Sequence, residues 1–554
     1  MPSKIRLHIK HLTVPLAAAV VSCQTTKPDT VAETPPPREA ISDLPKDPKP
    51  YKIVRRSGPE LLHYEELVQL AANPKPTRPV KKKLDSLLST PFVNNDAYFK
   101  NGLPPVQEYP GLGKALRVSS WNIEKSIRVP AAAAVIKSSA TFVDLLRHSF
   151  QEAPDAYVDA VLQRTKLAAS DVLLLQEMDI GHCRSGYLFA ADYLAKELGM
   201  NYAYAPQQLE VDPVYLGLDQ THLANGNTDH KACSVLHEHA DDYRGVFGVA
   251  VLSRYPIKRT RLFQLKTQPY DWYNGEAMDI DFVEQGRKLG SSLVFHHQPV
   301  RELKVGGRAF TQVDLHVPGL PHETLSVINI HLEIKTTPKQ RERQLLEILG
   351  YIKDIKNPVI MAGDYNSTAI DVSATSLFRL SKRTTTNPSN ILSAGLHLTN
   401  VAGINQIKSL INTYKNFMDP LAWHIPVIFP NKVKGLFSTI EDFRFADGGV
   451  FDFRGDRKRS LHGRTGTLSN ANQRFLKGFT STFTVPRPIG PIGRKRLDWI
   501  FVKSFLTEPK NQNGPYRLAP HQGETLSLIN TSLHQPISDH HPITVLLPLA
   551  EPDI

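Results

Sequence analysis

The stretch NPVIMAGDYNST, Asn357–Thr368, decides how this chain is read. An apolar run from Val359 to Ala362 halts at Gly363 and is followed at once by an acid, an aromatic and an amide. Gly, Asp and Asn make tight reversals, Gly through its permissive φ and the Asx residues by hydrogen-bonding their own backbone. Taken alone, GDYN is a turn at the end of a buried strand. A chemical role for Asp364 and Asn366 has to be carried by the rest of the chain.

Other apolar runs share the design. ALRVSSWNIEKS is an extended segment ending at Trp121 and Asn122, and SDVLLLQEMD is a short buried strand, Val172 to Leu175, ending at Gln176 and Glu177. LSVINIHLE alternates and then presents His331; RLDWIFVK opens a strand with Asp498; PISDHHPITVLLP puts Ser538 to His541 just before a final strand. Short apolar runs bounded by breakers suit the strands of a sandwich core. Helical patterns lie between them. TPKQRERQLLEILGYIKDIKNP places Leu345, Leu346, Ile348, Leu349 and Ile352 on one face with Pro358 as its stop, and SGYLFAADYLAKELGM is a second amphipathic helix ending near Gly199. Strands alternating with helices predict an α/β domain.

Each polar residue has an ordinary structural reading. Asn122 is then a strand-end cap, Glu177 a solvated carboxylate, His331 a satisfied histidine, Asp539 a turn cap and Asp498 the partner of a nearby arginine. Their combination says more. An amide, several acids and two histidines all stand at strand ends, where residues distant in sequence meet on one edge of a sheet sandwich.

In chain order, WNIE, LLLQE, INIHLE, GDYNS, RLDWIFV and SDHHPI resemble the motif series of the endonuclease/exonuclease/phosphatase superfamily. GVAVLSRYPI (Gly248–Ile257) is similar to a strand-and-turn segment of these proteins, and QEMDIGHCRSG resembles the bacterial branch through Arg184. The resemblance covers about Lys114 to Leu549. It implies the deoxyribonuclease I-like four-layer fold, an α/β architecture of two packed β-sheets flanked by helices. It implies that Asn122 and Glu177 hold a divalent cation, with Asp539 completing the metal side and Glu124 a further metal or supporting residue. Asp364 and Asn366 would flank the scissile phosphate, Asp364 orienting or deprotonating the attacking water. His540, oriented by Asp498, would contact the phosphate and transfer protons, and His331 would be a phosphate donor or general acid.

The chemistry matches these residue types. Phosphodiester hydrolysis builds negative charge on phosphoryl and leaving oxygens, which a hard cation offsets while needing only one or two protein carboxylates. A donor set of carboxylate, amide and imidazole without cysteine suits Mg²⁺ or Mn²⁺. Histidine backed by a carboxylate moves a proton near neutral pH.

The remainder of the 554 residues frames this domain. Lys4, Arg6, His8 and Lys10 precede the apolar run Leu12–Val21, which is too short to span a bilayer and reads as a signal peptide over residues 1–22. VVSC, ending at Cys23, resembles the lipobox of bacterial lipoproteins, which implies a membrane anchor at Cys23; a plain secretory signal is the alternative. A Pro-rich tether over 23–50 and a partly helical extension over 51–113, where PELLHYEELVQLAANP reads as one amphipathic helix, lead into the catalytic domain at 114–549. Both readings of the leader place the protein outside the cytoplasm, in the bacterial envelope or secreted. Cys183 and Cys233 are free to pair or to stay as buried thiols.

The domain carries insertions at Gln207–Tyr243, Gln268–Gly307 and above all Thr385–Thr480. FRFADGG within the last is expected to be a hairpin turn and not a cation loop. From Lys432 to Lys503 there are 15 Lys/Arg against 6 Asp/Glu, and from Tyr51 to Arg117 11 against 6, within a net charge of +12. Such segments attract nucleic acid or anionic lipid, or form a solvated basic surface. The expectation is a monomeric, metal-dependent phosphoesterase acting on phosphodiester bonds, foremost a secreted or tethered nuclease. The alternatives are a phospholipid or inositol-phosphate phosphoesterase and a non-catalytic tethered binding protein.

Overall fold

A computed structural model describes residues 52–211, 241–273, 276–277, 303–367, 433–452, 479–489, 492–504 and 517–550. The leader, Cys23, the tether, Cys233 and the basic run at 454–459 lie outside the described residues.

The predicted strands pair into two sheets. The larger runs Arg56–Ser57, Phe92–Asn94, Asn201–Glu210, Val246–Ser253, Val172–Ile180, Gly113–Asn122, Ile543–Pro548, His521–Thr525. The smaller runs Asp498–Lys503, Val359–Asp364, Thr324–His331, Ala309–His316, Ile257–Gln264. Inward side chains of both sheets, among them Val118, Leu174, Val251, Val327, Ile360, Ile500 and Val545, form one buried cluster. The outer face of the larger sheet packs on helices Val129–Lys137 and Ala190–Leu198, and that of the smaller sheet on Pro338–Ile352 and Lys434–Asp442. These are the four layers of helix, sheet, sheet and helix. Both sheets are buried on two faces, and each helix layer buries one apolar face and leaves a polar one to solvent.

Local chemistry accounts for the helix ends. Thr337 caps Pro338–Ile352 by accepting from the Gln340 amide, with Pro338 at the first turn. Its buried face is Leu345, Ile348, Leu349 and Ile352, as the spacing predicts, but Leu346 is 51% exposed because it lies one position round from that stripe. The helix stops at Ile352, short of Pro358. Gly199 ends Ala190–Leu198 in the left-handed region.

Residues before Lys114 contribute more than the single helix expected from the sequence. Phe92–Asn94 pairs antiparallel with Asn201–Glu210 and extends the larger sheet. Helices Tyr64–Ala72 and Arg78–Ser89 send Leu67, Leu70, Val80, Leu84 and Leu87 into the outer core. The Lys81–Lys83 run sits on the second helix, where Lys83 pairs with Glu60 and Glu66 at 2.8 and 2.9 Å. FADGG is a tight turn, with the Gly449 carbonyl accepting from the Phe445 amide at 2.9 Å and Asp447 bound to Lys503 Nζ at 2.5 Å. Cys183 is disulfide-bonded, its partner lying outside the described residues. Among the described residues no helix is long and apolar enough to cross a membrane.

The opening motif folds differently from a simple turn. The strand Val359–Asp364 runs through Gly363 and ends on Asp364. Gly363 has φ +141°, and a Cβ there would meet Ile330 O of the adjacent parallel strand at 1.9 Å. Glycine is therefore required by close backbone approach, and the reversal begins only beyond Asp364, where Asp364 Oδ1 accepts from the Asn366 amide at 2.7 Å. Gly363→Ala is expected to lower stability by about 3 kcal/mol in denaturant unfolding, through overpacking against a strand that cannot retreat. A loss below about 1 kcal/mol would show that the strands separate freely there.

Candidate active site

Residues from both sheets meet at one end of the sandwich. On the smaller sheet, His331, Asp364 and Asp498 are register partners on three neighbouring strands. On the larger sheet Asn122 is the last residue of its strand, paired in register with Gln176, and Glu177 follows Gln176. Asn122 Nδ2 donates to Glu177 Oε1 and to Asp364 Oδ2, both at 3.1 Å, and so joins the two sheets at the site itself.

Unusual backbone aims these side chains. The ladder between Val172–Ile180 and Val246–Ser253 shifts register between Leu175 and Met178, and within that bulge Glu177 takes φ +59°. A bulge re-aims a side chain out of the strand alternation. Glu124, Lys125 and Ser126 are consecutive left-handed residues, with φ of 45°, 51° and 55°. Non-glycine residues in that region cost on the order of 1–3 kcal/mol each and persist only where neighbours over-determine them. Here the Glu124 amide donates to Asn122 Oδ1, the Lys125 amide to Glu177 Oε2 and Ser126 Oγ to the Glu177 carbonyl, each at 3.1 Å. The turn thus wraps the Glu177 carboxylate.

A rim of carboxylates follows. Glu124 Oε2 accepts from the Asp539 amide at 3.1 Å, which brings the WNIE and SDHH motifs together. Glu124 and Glu177 are half-buried, whereas Asp539 is exposed. Partial burial, and then the carboxylates of Asp539 and Glu177, push the Glu124 carboxyl up to about 8. Such crowding marks a place that gains from a cation.

The deeper half is buried. His540 Nδ1 bonds Asp498 Oδ2 at 2.8 Å, and His540 Nε2 lies 3.9 Å from Asp364 Oδ2. Burial alone would lower the imidazole, but Asp498, Asp539 and Asp364 outweigh it and hold His540 well above the usual histidine range. Burial, then the Asp498 carboxylate, raises Asp364 to about 7. His331 Nε2 lies 3.8 Å from both Glu177 Oε1 and Asp364 Oδ2, and its Nδ1 faces Arg308 Nη1 at 3.0 Å. Burial and then Arg308 depress His331 well below its ordinary value. Asn366, with φ +46°, commits one amide hydrogen to the Leu332 carbonyl at 2.9 Å and keeps another.

The donor chemistry fits a hard divalent cation. The set expected from the sequence, Asn122, Glu177, Glu124 and Asp539, is joined by the Asn122–Glu177 and Glu124–Asp539 hydrogen bonds. A second group, Asp364, Asp498 and His540, is buried and is the one among the described residues whose carboxylate and imidazole ligand atoms gather within 4.8 Å of one another. Asn122 turns Nδ2 towards the carboxylates, so a cation beside Glu177 calls for a χ2 rotation that exchanges its amide ends. Asp498 Oδ1 is buried with no hydrogen-bond partner, a free acceptor inside the second group.

Sequence reasoning missed the residues that brace this arrangement. Ser538 Oγ donates to the Asn122 carbonyl at 2.7 Å and accepts from the His540 amide at 3.0 Å, stitching SDHH to WNIE. Asn530 Nδ2 and Trp121 Nε1 both donate to the His540 carbonyl, at 2.6 and 2.9 Å. Ser538 stood inside a quoted motif, but its hydroxyl was not singled out. Arg308 lies at the edge of a stretch with no motif, and nothing in the sequence marks it.

The model of the "Endonuclease/Exonuclease/phosphatase family" matches residues 119–540. No curated protein matches the chain. Similar solved structures include an endonuclease/exonuclease/phosphatase from Beutenbergia cavernae, 15% identical over 78% of this chain and 72% of that one, with a TM-score of 0.35. A 3'-5' exonuclease from Neisseria meningitidis is 13% identical over 78% of this chain and 98% of its own, also with a TM-score of 0.35. A functionally unknown conserved protein from Enterococcus faecalis is 11% identical over 78% and 99%, with a TM-score of 0.32. With a match reaching from the Asn122 strand to His540, this chain belongs to the endonuclease/exonuclease/phosphatase family.

Proposed function

We propose that the chain is a divalent-metal-dependent phosphoesterase that hydrolyses phosphodiester bonds, foremost a nuclease. The observation that carries this is the meeting of Asn122, the carboxylate-rich rim and His540, from the larger sheet and the segment leading into its Ile543–Pro548 strand, with Asp498, Asp364 and His331 on the smaller one. A bound Mg²⁺ or Mn²⁺ would supply Lewis-acid stabilisation of developing phosphoryl charge. Glu177 and Asn122 would hold it, with Asp539 and Glu124 completing the shell. Asp364 orients the attacking water and, raised to about 7, accepts its proton near neutral pH. Asp498 fixes the proton on His540 Nδ1, which leaves the Nε2 proton to contact the phosphate and to pass to the leaving oxygen as its bond to phosphorus breaks. Asn366 steadies the loop beyond Asp364 and offers its remaining amide hydrogen.

The nuclease reading is supported by the basic balance of Lys432–Lys503, net +9, in the segment that leads into and includes Asp498. Backbone phosphate contacts use such charge without sequence preference. A phospholipid or inositol-phosphate substrate would use the same charge at a membrane surface. The proposal also places the mature chain outside the cytoplasm, tethered through a lipid on Cys23. Labelled palmitate should enter the wild-type chain and not Cys23→Ala; equal labelling would remove the anchor.

Incubation with plasmid DNA, RNA, sphingomyelin and inositol phosphates, with Mg²⁺ or with chelator, tests the chemistry. Hydrolysis of nucleic acid that stops with chelator is expected, and His540→Ala should slow it by about 10²–10⁴-fold. Chelator-insensitive turnover contradicts the metal role, lipid turnover alone contradicts the nuclease choice, and binding without any turnover favours an adhesin.

The rim makes a pH prediction for the cation-free protein. Because folding raises Glu124 from 4.5 to about 8, the native state holds its proton more tightly. That contribution to stability is present below pH 4.5 and is lost as pH rises through about 8. Mg²⁺ offsets the exposed charge, so its increase in melting temperature should be larger at pH 8 than at pH 5.5, and Glu124→Gln should narrow the difference. Equal gains at both pH values in the wild type would place the cation away from this rim.

A further inference from the structure

The two histidines of the site have opposite partners. His540 Nδ1 meets a carboxylate, Asp498, at 2.8 Å, whereas His331 Nδ1 meets a guanidinium, Arg308 Nη1, at 3.0 Å. A guanidinium has five N–H donors and no acceptor. The bond therefore exists only if Nδ1 of His331 carries its lone pair, and the ring proton then sits on Nε2. A second proton on Nδ1 would set two cationic donors against each other at 3.0 Å with no acceptor between them. Turning the ring over would replace Nδ1 by a carbon and leave the guanidinium N–H unmatched.

Arg308 is itself held in place. Its Nε donates to Glu333 Oε2 at 3.0 Å, and Trp272 Nε1 donates to the same oxygen at 2.9 Å. Glu333 Oε1 accepts from the Lys335 amide at 3.0 Å. Arg308, Glu333 and His331 are all at least 95% buried, so a planar guanidinium is fixed between a carboxylate and an imidazole. Lys304 adds further positive charge on this side of the ring, lying 5.1 Å from the Phe247 centroid, and Phe247 packs on His331 with centroids 6.2 Å apart. On the cleft side His331 Nε2 looks towards Glu177 and Asp364, 3.8 Å from each and too far for a direct hydrogen bond.

We propose that Arg308 is a positioning residue that fixes His331 as a one-proton donor, with Nε2–H aimed into the cleft. On this reading, which rests on the phosphoesterase proposal, His331 donates a hydrogen bond to a phosphoryl oxygen and does not act as the general acid. Proton transfer then falls to His540, whose carboxylate partner supports the charged ring. The chain Glu333–Arg308–His331 is thus a donor relay and Asp498–His540 a proton-transfer pair. The two imidazoles divide the work according to what stands behind each ring.

The test uses the Mg²⁺-loaded full chain with ¹⁵N-labelled histidine rings, the His331 signals being identified by their loss in His331→Gln. The expected spectrum has His331 Nε2 protonated and Nδ1 bare; a protonated Nδ1 overturns the inference. In the paired variant Arg308→Met with Glu333→Gln, which avoids a buried unmatched carboxylate, the ring should populate both tautomers. An unchanged spectrum there would remove Arg308 from its role.

Hydrolysis of bis(p-nitrophenyl) phosphate gives the kinetic counterpart. His331→Gln, whose amide keeps an N–H near the Nε2 position, should retain activity within about tenfold and the wild-type pH profile, while His331→Leu should lose about 10²–10³-fold. Equal damage in both variants, with one limb of the pH profile gone from His331→Gln, contradicts a pure donor. Absence of turnover by the wild type would defeat the phosphoesterase proposal, while the ring spectrum still decides the placement of the proton.

Discussion

Two buried amides hold the sheets of this protein in register. Gln176 Nε2 on the larger sheet donates to Asn329 Oδ1 on the smaller one at 2.8 Å, and Asn329 Nδ2 donates back to the Leu175 and Ala250 carbonyls at 3.0 and 2.8 Å. Both side chains are wholly buried, so their hydrogen bonds have no water to replace them. An apolar interface between two sheets tolerates sliding; a directional amide pair does not. Each amide is one or two residues from a functional side chain, Gln176 from Glu177 and Asn329 from His331. The pin that aligns the sheets therefore also aligns the two halves of the site.

Around that pin the backbone gives up regularity where side chains must be aimed. The bulge at Glu177, the left-handed turn at Glu124–Ser126 and the reversal at Asn366 are unfavourable conformations, each held by named hydrogen bonds. Gly363 lets two parallel strands approach more closely than any side chain would allow, which sets Asp364 beside His331. The electrostatics then differ from one side to the other. Carboxylates crowd at the rim, a carboxylate–imidazole pair lies in the depth, and cationic groups stand behind the remaining histidine. Under the proposed function, a phosphodiester entering such a cleft would meet a cation, a proton donor and a fixed N–H from three directions.

Much of this was legible in the sequence because the functional residues follow apolar runs. A strand buried on both faces tends to stop being apolar where it leaves the core, so Asn122, His331 and Asp364 announce themselves at strand ends and Asp498 at a strand start. Glu177 reads as a strand end too, but the strand continues through its bulge to Ile180. Their spatial order came from the resemblance and not from periodicity. What stayed hidden depends on contacts across the fold. The bulge at Glu177 shows only in pairing with Val246–Ser253, and Gly363 looks like a turn residue until Ile330 O is placed against it. Arg308 sits 23 residues before His331 in a segment without a motif. The apolar face that included Leu346 was drawn one residue too wide. The strand Phe92–Asn94 was missed because three residues carry no alternation to read.

In the proposed mechanism the cation sits beside Glu177 and Asn122 on the larger sheet, apart from the His540–Asp498 pair that bridges the two sheets. Anomalous diffraction from crystals of the Mn²⁺-loaded chain tests it most directly. The account predicts a Mn²⁺ peak within bonding distance of the Glu177 carboxylate and the Asn122 amide oxygen, with His540 still bonded to Asp498 and not to the metal. A peak ligated by His540, Asp498 and Asp364, with none beside Glu177, would contradict it.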